Sequence, residues 1–243
     1  MKILEQTRHV NGSRKIYLFG IKIFSYTRKD KGSIMYKSYY SQYGQDAWIL
    51  DHFKNKTTGF FVDIGAHNGV LLSNTKKMEE LGWRGVCIEP NPPVFKELKN
   101  NRPHTDCYEV AVGIKSGTAQ FVQVSGASEM LSGLQGTLGE KGTERLNREA
   151  AVEHGDELKT ITVKVATFDE IMTRYPDVKT IDYISIDTEG NEFDILKSID
   201  FNKYNVLTLS VENNYHDSTV VDFMVAKGYD MITCECDDIY FKK

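Results

Sequence analysis

The sequence predicts an α/β fold: a mostly parallel sheet covered on both faces by helices and closed by a C-terminal antiparallel hairpin. Three observations point there. From Phe60 onward, short apolar runs alternate with helix-like segments, the pattern of a sheet buried on both sides. The first run leads into Asp63-Ile64-Gly65-Ala66-His67-Asn68-Gly69, two glycines where a strand should give way to a helix. Acids end successive runs: Glu89, Asp187 and Glu212.

Taken in order, residues 60–65 read as the first strand and the following residues to about Leu81 as a helix. Residues 85–89 read as the second strand, stopped at Pro90, and residues 93–101 as a helix with a proline at its start. Residues 108–112 read as a third strand; residues 118–124 and 161–165 alternate like antiparallel or edge strands. Between those two, residues 125–159 are rich in Gly, Glu, Lys and Ser and read as a lid, or else as a long surface excursion. A short helix over 168–175, a strand over 181–187, a helix over 192–199 and a strand over 206–212 continue the alternation. Residues 220–227 read as the last helix, and 229–236 with 239–241 as a hairpin turned at Asp237-Asp238. Near the N-terminus, residues 46–53 read as a helix.

At 243 residues, one α/β domain with decorations is expected, taken as 41–243 behind a basic N-terminal extension, 1–40. A net charge of −4 gives no general attraction for phosphate backbones, so nucleic acid is not an expected partner. Residues 1–37 hold nine Lys or Arg against two acids, which reads as a solvated extension or as an arm for peripheral contact with anionic lipid. The apolar stretch 16–24 is short and interrupted by Lys22, so neither a signal peptide nor a membrane anchor is expected, and the cytoplasm is the default location. Four cysteines are too few for a disulfide framework; Cys234 and Cys236 are expected to share one face of a strand as structural residues.

The glycine turn at residues 63–69 suits a nucleotide-type ligand, since a helix start there would offer free N–H groups. Its G-x-x-x-G spacing differs from the dinucleotide fingerprint and disfavours NAD. Glu89, about 20 residues beyond the glycines, stands where an acid accepts from both ribose hydroxyls in such folds. Asp187 and Glu212 should face one crevice outside the strand ends, with Glu189 beside them; caps and ion pairs are the competing roles. Glu192 reads as a helix start.

With these residues in view, the chain resembles the FkbM-type methyltransferases. Ser41-Gln42-Tyr43-Gly44-Gln45-Asp46, the run from Phe61 to Gly69, Ser73-Asn74-Thr75, Gly82-Trp83-Arg84-Gly85, Cys87-Ile88-Glu89-Pro90, the run from Ile184 to Gly190 and Val211-Glu212 occur in the family's order. The resemblance spans about residues 41–241. It implies a Rossmann-like class I methyltransferase with a seven-stranded sheet. It also implies S-adenosyl-L-methionine as cofactor, bound by Asp63, Gly65, Ala66, Gly69, Asn74, Glu89 and Pro90. Asp187, Glu189 and Glu212 become the catalytic candidates. His67, Thr188 and Asn191 depart from the family's usual residues without removing a ligand; His67 reads as a loop residue or a base.

The resemblance further implies O-methylation, and residues 17–24 resemble a leader found on polysaccharide enzymes. A small-molecule or glycan acceptor is therefore expected, a sugar hydroxyl of a bacterial capsule or lipopolysaccharide, held by amides such as Asn213 and Asn214 and an aromatic face at Tyr215. A carboxylate would serve as base. The three acids could instead ligate Mg²⁺ or Ca²⁺, yet no obligatory metal is expected. The competing readings are a polyketide, peptide or phosphoryl acceptor, an NAD-dependent sugar dehydrogenase, and a non-catalytic module on the same fold.

Overall fold

The computed structural model describes residues 4–8, 13–18, 21–27, 39–137, 139–234 and 237–242. The chain divides into two units, Met1–Tyr39 and Tyr40–Lys243. In the first, β1 (Leu4–Arg8), β2 (Ser13–Leu18) and β3 (Ile21–Thr27) form an antiparallel sheet in sequence order, with a register shift between Ile16 and Tyr17. The apolar stretch 16–24 thus falls on two strands and their connection; residues 19–20 of that connection lie outside the described residues.

In the second unit, α1 (Gln45–His52) leads into β4 (Phe60–Ile64), α2 (Lys76–Glu80), β5 (Arg84–Ile88), α3 (Pro92–Asn101) and β6 (Asp106–Tyr108). Then come β7 (Ala111–Val112), β8 (Gly117–Ser125), a 3₁₀ turn at Glu129–Leu131, β9 (Gly133–Leu134), α4 (Gly139–Leu146), a π-helical stretch Asn147–His154 and β10 (Glu157–Ala166). The chain returns through α5 (Phe168–Met172), β11 (Thr180–Ile186), α6 (Glu192–Ser198), β12 (Asn205–Glu212), α7 (Ser218–Ala226), β13 (Tyr229–Cys234) and β14 (Asp237–Lys242).

The main sheet has seven strands in the order β13-β14-β12-β11-β4-β5-β6. Its five strands from β12 to β6 run parallel, and β14 is antiparallel to both β12 and β13. All five residues of β4 are buried, as a central strand with helices on both faces requires. Val62, Ile64, Val86, Ile184, Ile186, Val206 and Leu209 form the middle of the core. Pro92 and Pro93 preset the first turn of α3, and Val94 and Leu98, one turn apart, are its buried side. Thr167 and Glu170 close a capping box over α5, each side chain accepting from the other's backbone N–H.

The structure differs from the sequence reading in four places. The third strand is two: β6 ends the main sheet, while β7 pairs with β10 in a second, four-stranded sheet, β7-β10-β8-β9. The helix after β4 starts only at Lys76. Left-handed backbone at His67, Gly69 and Leu72 is incompatible with an earlier start, and Asn68 Oδ1 captures the N–H groups of Val70 and Leu71 at 3.1 and 2.9 Å. Asp237 and Asp238 are strand residues opposite Glu212 and Val211 rather than the hairpin turn. They are buried because Gln45 Nε2 and Asn213 Nδ2 donate to them. Residues 125–159 are largely ordered as turn, strand and helix, with Val124, Leu131, Leu146 and Ala150 forming a small core of their own. Cys236 and the side chain of Cys234 lie outside the described residues.

Candidate functional site

Four neighbouring strands, β5, β4, β11 and β12, end on one edge of the sheet, where open α/β sheets hold ligands. Directly after them or at their last residue stand Glu89, Gly65, Asp187 and Glu212. At strand spacings near 4.8 Å, Glu89 and Asp187 are on the order of 10 Å apart along this edge. A cavity of about 250 Å³ runs between them, lined in part by Asp63, Gly65, Ala66, Asn74, Glu89 and Pro90.

Glu89 is the buried acid of its cofactor side. Its Oε2 accepts from His67 N at 3.1 Å and its Oε1 from Asn91 N at 2.8 Å, so each oxygen keeps acceptor capacity for a ligand. Burial pushes its pKa up to about 7, against the pull of those two backbone donors. Asn74 is also buried, its Nδ2 donating to Ser185 Oγ at 3.0 Å while its Oδ1 has no partner among the described residues. The glycines answer to packing. A Cβ on Gly65 would lie 1.7 Å from the carbonyl oxygen of Asp187, and one on Gly69 2.6 Å from both Leu98 and Arg102; both residues have left-handed backbone. Gly69, unlike the other cofactor candidates, does not line the cavity.

Most N–H groups of the turn are used internally: Gly65 and Ala66 donate to Ile88 O, each at 3.0 Å, His67 to Glu89, and Gly69 to Ala66 O at 2.9 Å. With α2 beginning at Lys76, no helix start faces the ligand at Gly69, and the expected backbone donors reduce to a tightly bonded loop. Asp63 accepts from Thr75 Oγ1 at 2.5 Å and feels the Arg102 guanidinium, which offsets part of the upward push of burial on its pKa. It lines the cavity while anchoring the loop.

Asp187, Glu189 and Glu212 are brought together, with one oxygen of each within 4.8 Å of the others. Asp187 meets solvent in the cleft, yet protein surrounds it closely enough for lost hydration to dominate. Its pKa rises well above the ordinary range, with Glu212, Asp237 and Glu192 adding repulsion. Burial likewise pushes Glu189 and Glu212 up to about 8, helped by Asp187 and Glu189 respectively. The trio titrates as one unit that retains protons near neutrality. Glu189 is held with left-handed backbone, φ 56°, in a loop pinned by Glu192, which accepts from Thr188 N and Oγ1 at 2.9 Å and from Gly190 N at 3.0 Å.

Several members of the site escaped the sequence reading. Arg145, on α4, reaches Glu189 Oε2 at 3.1 Å through Nη1 and lines the same cavity. Glu129 meets His67 Nε2 at 3.2 Å. Gln42, Tyr43, Gln45 and Asp237 supply further wall. A run of charges in a glycine-rich segment carries no periodicity that singles out Arg145; only the fold of residues 125–159 delivers it. Asn214 donates to Glu212 Oε1 and so orients it. Asn213 is committed elsewhere: its Nδ2 donates to Asp238 Oδ2 at 2.7 Å, and its Oδ1 accepts from Asp217 N at 2.7 Å.

A buried carboxylate with spare acceptor capacity, an orphan amide oxygen and a row of acids on one sheet edge suit a ligand with a ribose at one end and a cationic, reactive group at the other. Three solved structures can be set beside the chain. A precorrin-6y C5,15-methyltransferase from Geobacter metallireducens is 12% identical, covering 89% of this chain and 97% of that one at a TM-score of 0.46. A TehB-like SAM-dependent methyltransferase from Corynebacterium glutamicum is 8% identical over 86% and 92%, at 0.42. An RNA methyltransferase from Salinibacter ruber in complex with S-adenosyl-L-homocysteine is 12% identical over 81% and 88%, at 0.36. Likenesses this distant add nothing at the level of residues, and no curated protein matches the chain. The methyltransferase FkbM domain, in contrast, matches residues 63–231, from the first carboxylate of the turn to β13. With the expected sheet and an acceptor-rich cofactor cavity in place, the chain belongs to the FkbM family of S-adenosylmethionine-dependent methyltransferases.

Proposed function

We propose that the chain is an O-methyltransferase acting on a sugar hydroxyl during bacterial surface polysaccharide biosynthesis, in the cytoplasm. The observation that carries the chemistry is the carboxylate trio beside the cofactor cavity. S-adenosylmethionine, when bound, supplies an electrophilic methyl group. Glu89 would hold its ribose, and Asn74 Oδ1 would accept a hydrogen bond. A sugar hydroxyl loses its proton around the transition state, and a carboxylate that burial makes more basic is suited to receiving it in its ionised form, which gains population as pH rises. Asp187, at the centre of the row, takes that role, with Glu212 beside it and Glu189 held by Arg145. Fixing both reactants at one strand edge contributes the remaining acceleration by proximity.

A divalent ion held by the trio is the competing reading, favoured by the 4.8 Å grouping. Arg145 argues against it, because its guanidinium already neutralises Glu189 at 3.1 Å. The glycan assignment rests on the family resemblance and on the leader-like residues 17–24, and the basic segment 1–37 suits peripheral contact with anionic lipid. No helix among the described residues is long and apolar enough to cross a membrane. The test is incubation with methyl-labelled cofactor and uncharged saccharides, sugar nucleotides and lipid-linked oligosaccharides, alongside peptide, polyketide and phosphoryl acceptors, followed by mass spectrometry. Label on a sugar oxygen is expected; label only on peptide, polyketide or phosphoryl acceptors would overturn the assignment.

A further inference from the structure

A second cavity, about 580 Å³, opens between α4 and the turn joining β12 to α7, within the range of roughly 300–1,000 Å³ usual for ligand pockets. It shares Glu189 and Glu212 with the cofactor cavity, so the two spaces meet at the carboxylates. At its rim Tyr215 is 46% exposed, so its ring is open to a ligand. The turn that carries it is fixed: Asn213 Oδ1 accepts from Asp217 N at 2.7 Å, and its carbonyl accepts from His216 N at 3.0 Å. An aromatic face held in advance costs little ordering when a ligand stacks on it. Lys141 Nζ lies 5.4 Å from the ring centroid. Among the described residues it is the one Lys or Arg of the wall, against Glu140, Glu192 and Asp217 and the proton-sharing Glu189 and Glu212.

We infer that this second cavity is the acceptor subsite, stacking a sugar ring on Tyr215, and that it takes an uncharged saccharide unit rather than a nucleoside-diphosphate sugar. The inference rests on the glycan reading above. Sugars present one apolar face and a hydroxyl edge, which an aromatic ring backed by carboxylates and the Asn214 amide satisfies. A diphosphate would instead set two negative charges beside Glu140, Glu192 and Asp217, the wall acids outside the trio, with the Lys141 ammonium to receive them.

The test is saturation-transfer NMR on the full chain loaded with S-adenosylhomocysteine, using uncharged methyl hexopyranosides and oligosaccharides against UDP- and GDP-hexoses. The uncharged saccharides should bind wild type and Tyr215→Phe but weaken about tenfold on Tyr215→Ala, with S-adenosylhomocysteine affinity kept in all three. Equal or tighter binding of nucleotide sugars, no binding of saccharides, or an indifferent Tyr215→Ala would overturn the inference. Binding as expected without methyl transfer to any saccharide would leave the subsite standing and remove the O-methylation reading. Transfer to a saccharide with an unchanged KM in Tyr215→Ala would do the reverse.

Discussion

Glu89 sits at the end of β5 with each oxygen already holding one backbone N–H, and burial keeps its pKa near 7. Ribose hydroxyls donate best to the charged form. Cofactor affinity should therefore rise as pH is raised through about 7, and Glu89→Gln should both lose this dependence and bind roughly one to two decades more weakly. Calorimetry between pH 6 and 8 reads both effects; a variant that matches wild type would remove the ribose assignment. Asp187 lies two strands away and should matter to turnover more than to binding. Asp187→Asn should keep cofactor affinity and lose about 10² to 10⁴ in rate. Wild-type activity lost to chelator and restored by Mg²⁺ would give the trio to a metal instead. Glu89 and Asp187 were legible because strand-end acids need only a correct strand boundary. That Asn213 donates to Asp238, folding back from β14, was not legible, because the partner lies 25 residues away in sequence.

Among the elements, the loop after β4 carries the tightest constraint. Gly65→Ala would drive a methyl group into the Asp187 carbonyl and force left-handed backbone on an alanine, a cost of roughly 2–5 kcal/mol. A thermal melt should show a large drop in Tm; a small one would mean that the β4 and β11 ends part easily. The glycine itself was legible, but its reason was not, since the sequence suggests ligand approach where the fold shows strand packing. Residues 125–159 were readable only as a lid or a long surface excursion, and their π-helical stretch follows directly on the turn of α4 that places Arg145. Arg145 holds down the pKa of Glu189. Arg145→Ala should therefore shift the acid limb of the kcat/KM profile to higher pH, because the carboxylates then keep their protons longer. An unmoved limb would separate Glu189 from the titrating group.

For the whole domain, Glu89, Glu189 and Glu212 all hold protons above the ordinary carboxylate range. Between the unfolded value of 4.5 and about 8 the native state binds more protons than the unfolded chain, so stability should fall as pH rises through that window and level off once the group is ionised. Thermal melts of the cofactor-free protein across that window should show the decline. Glu189→Gln should flatten it and raise Tm at pH 8, and an unchanged slope would show that the trio is hydrated and unstrained.

The sequence by itself determined the alternation of strands and helices, the parallel centre with its antiparallel closing hairpin, and the acids at the strand ends. These follow from local periodicity and from the rule that ligands meet α/β sheets at the carboxyl ends of strands. Tertiary structure alone decided that residues 106–112 divide between two sheets, that the helix after β4 is delayed to Lys76, and that Arg145 reaches Glu189. Each of these depends on partners distant in sequence: β10 captures β7, α3 and Arg102 close around Gly69, and α4 folds over the ends of β11 and β12. A local pattern records which face of a segment is apolar, whereas which segment covers that face is set by the packing of the whole chain.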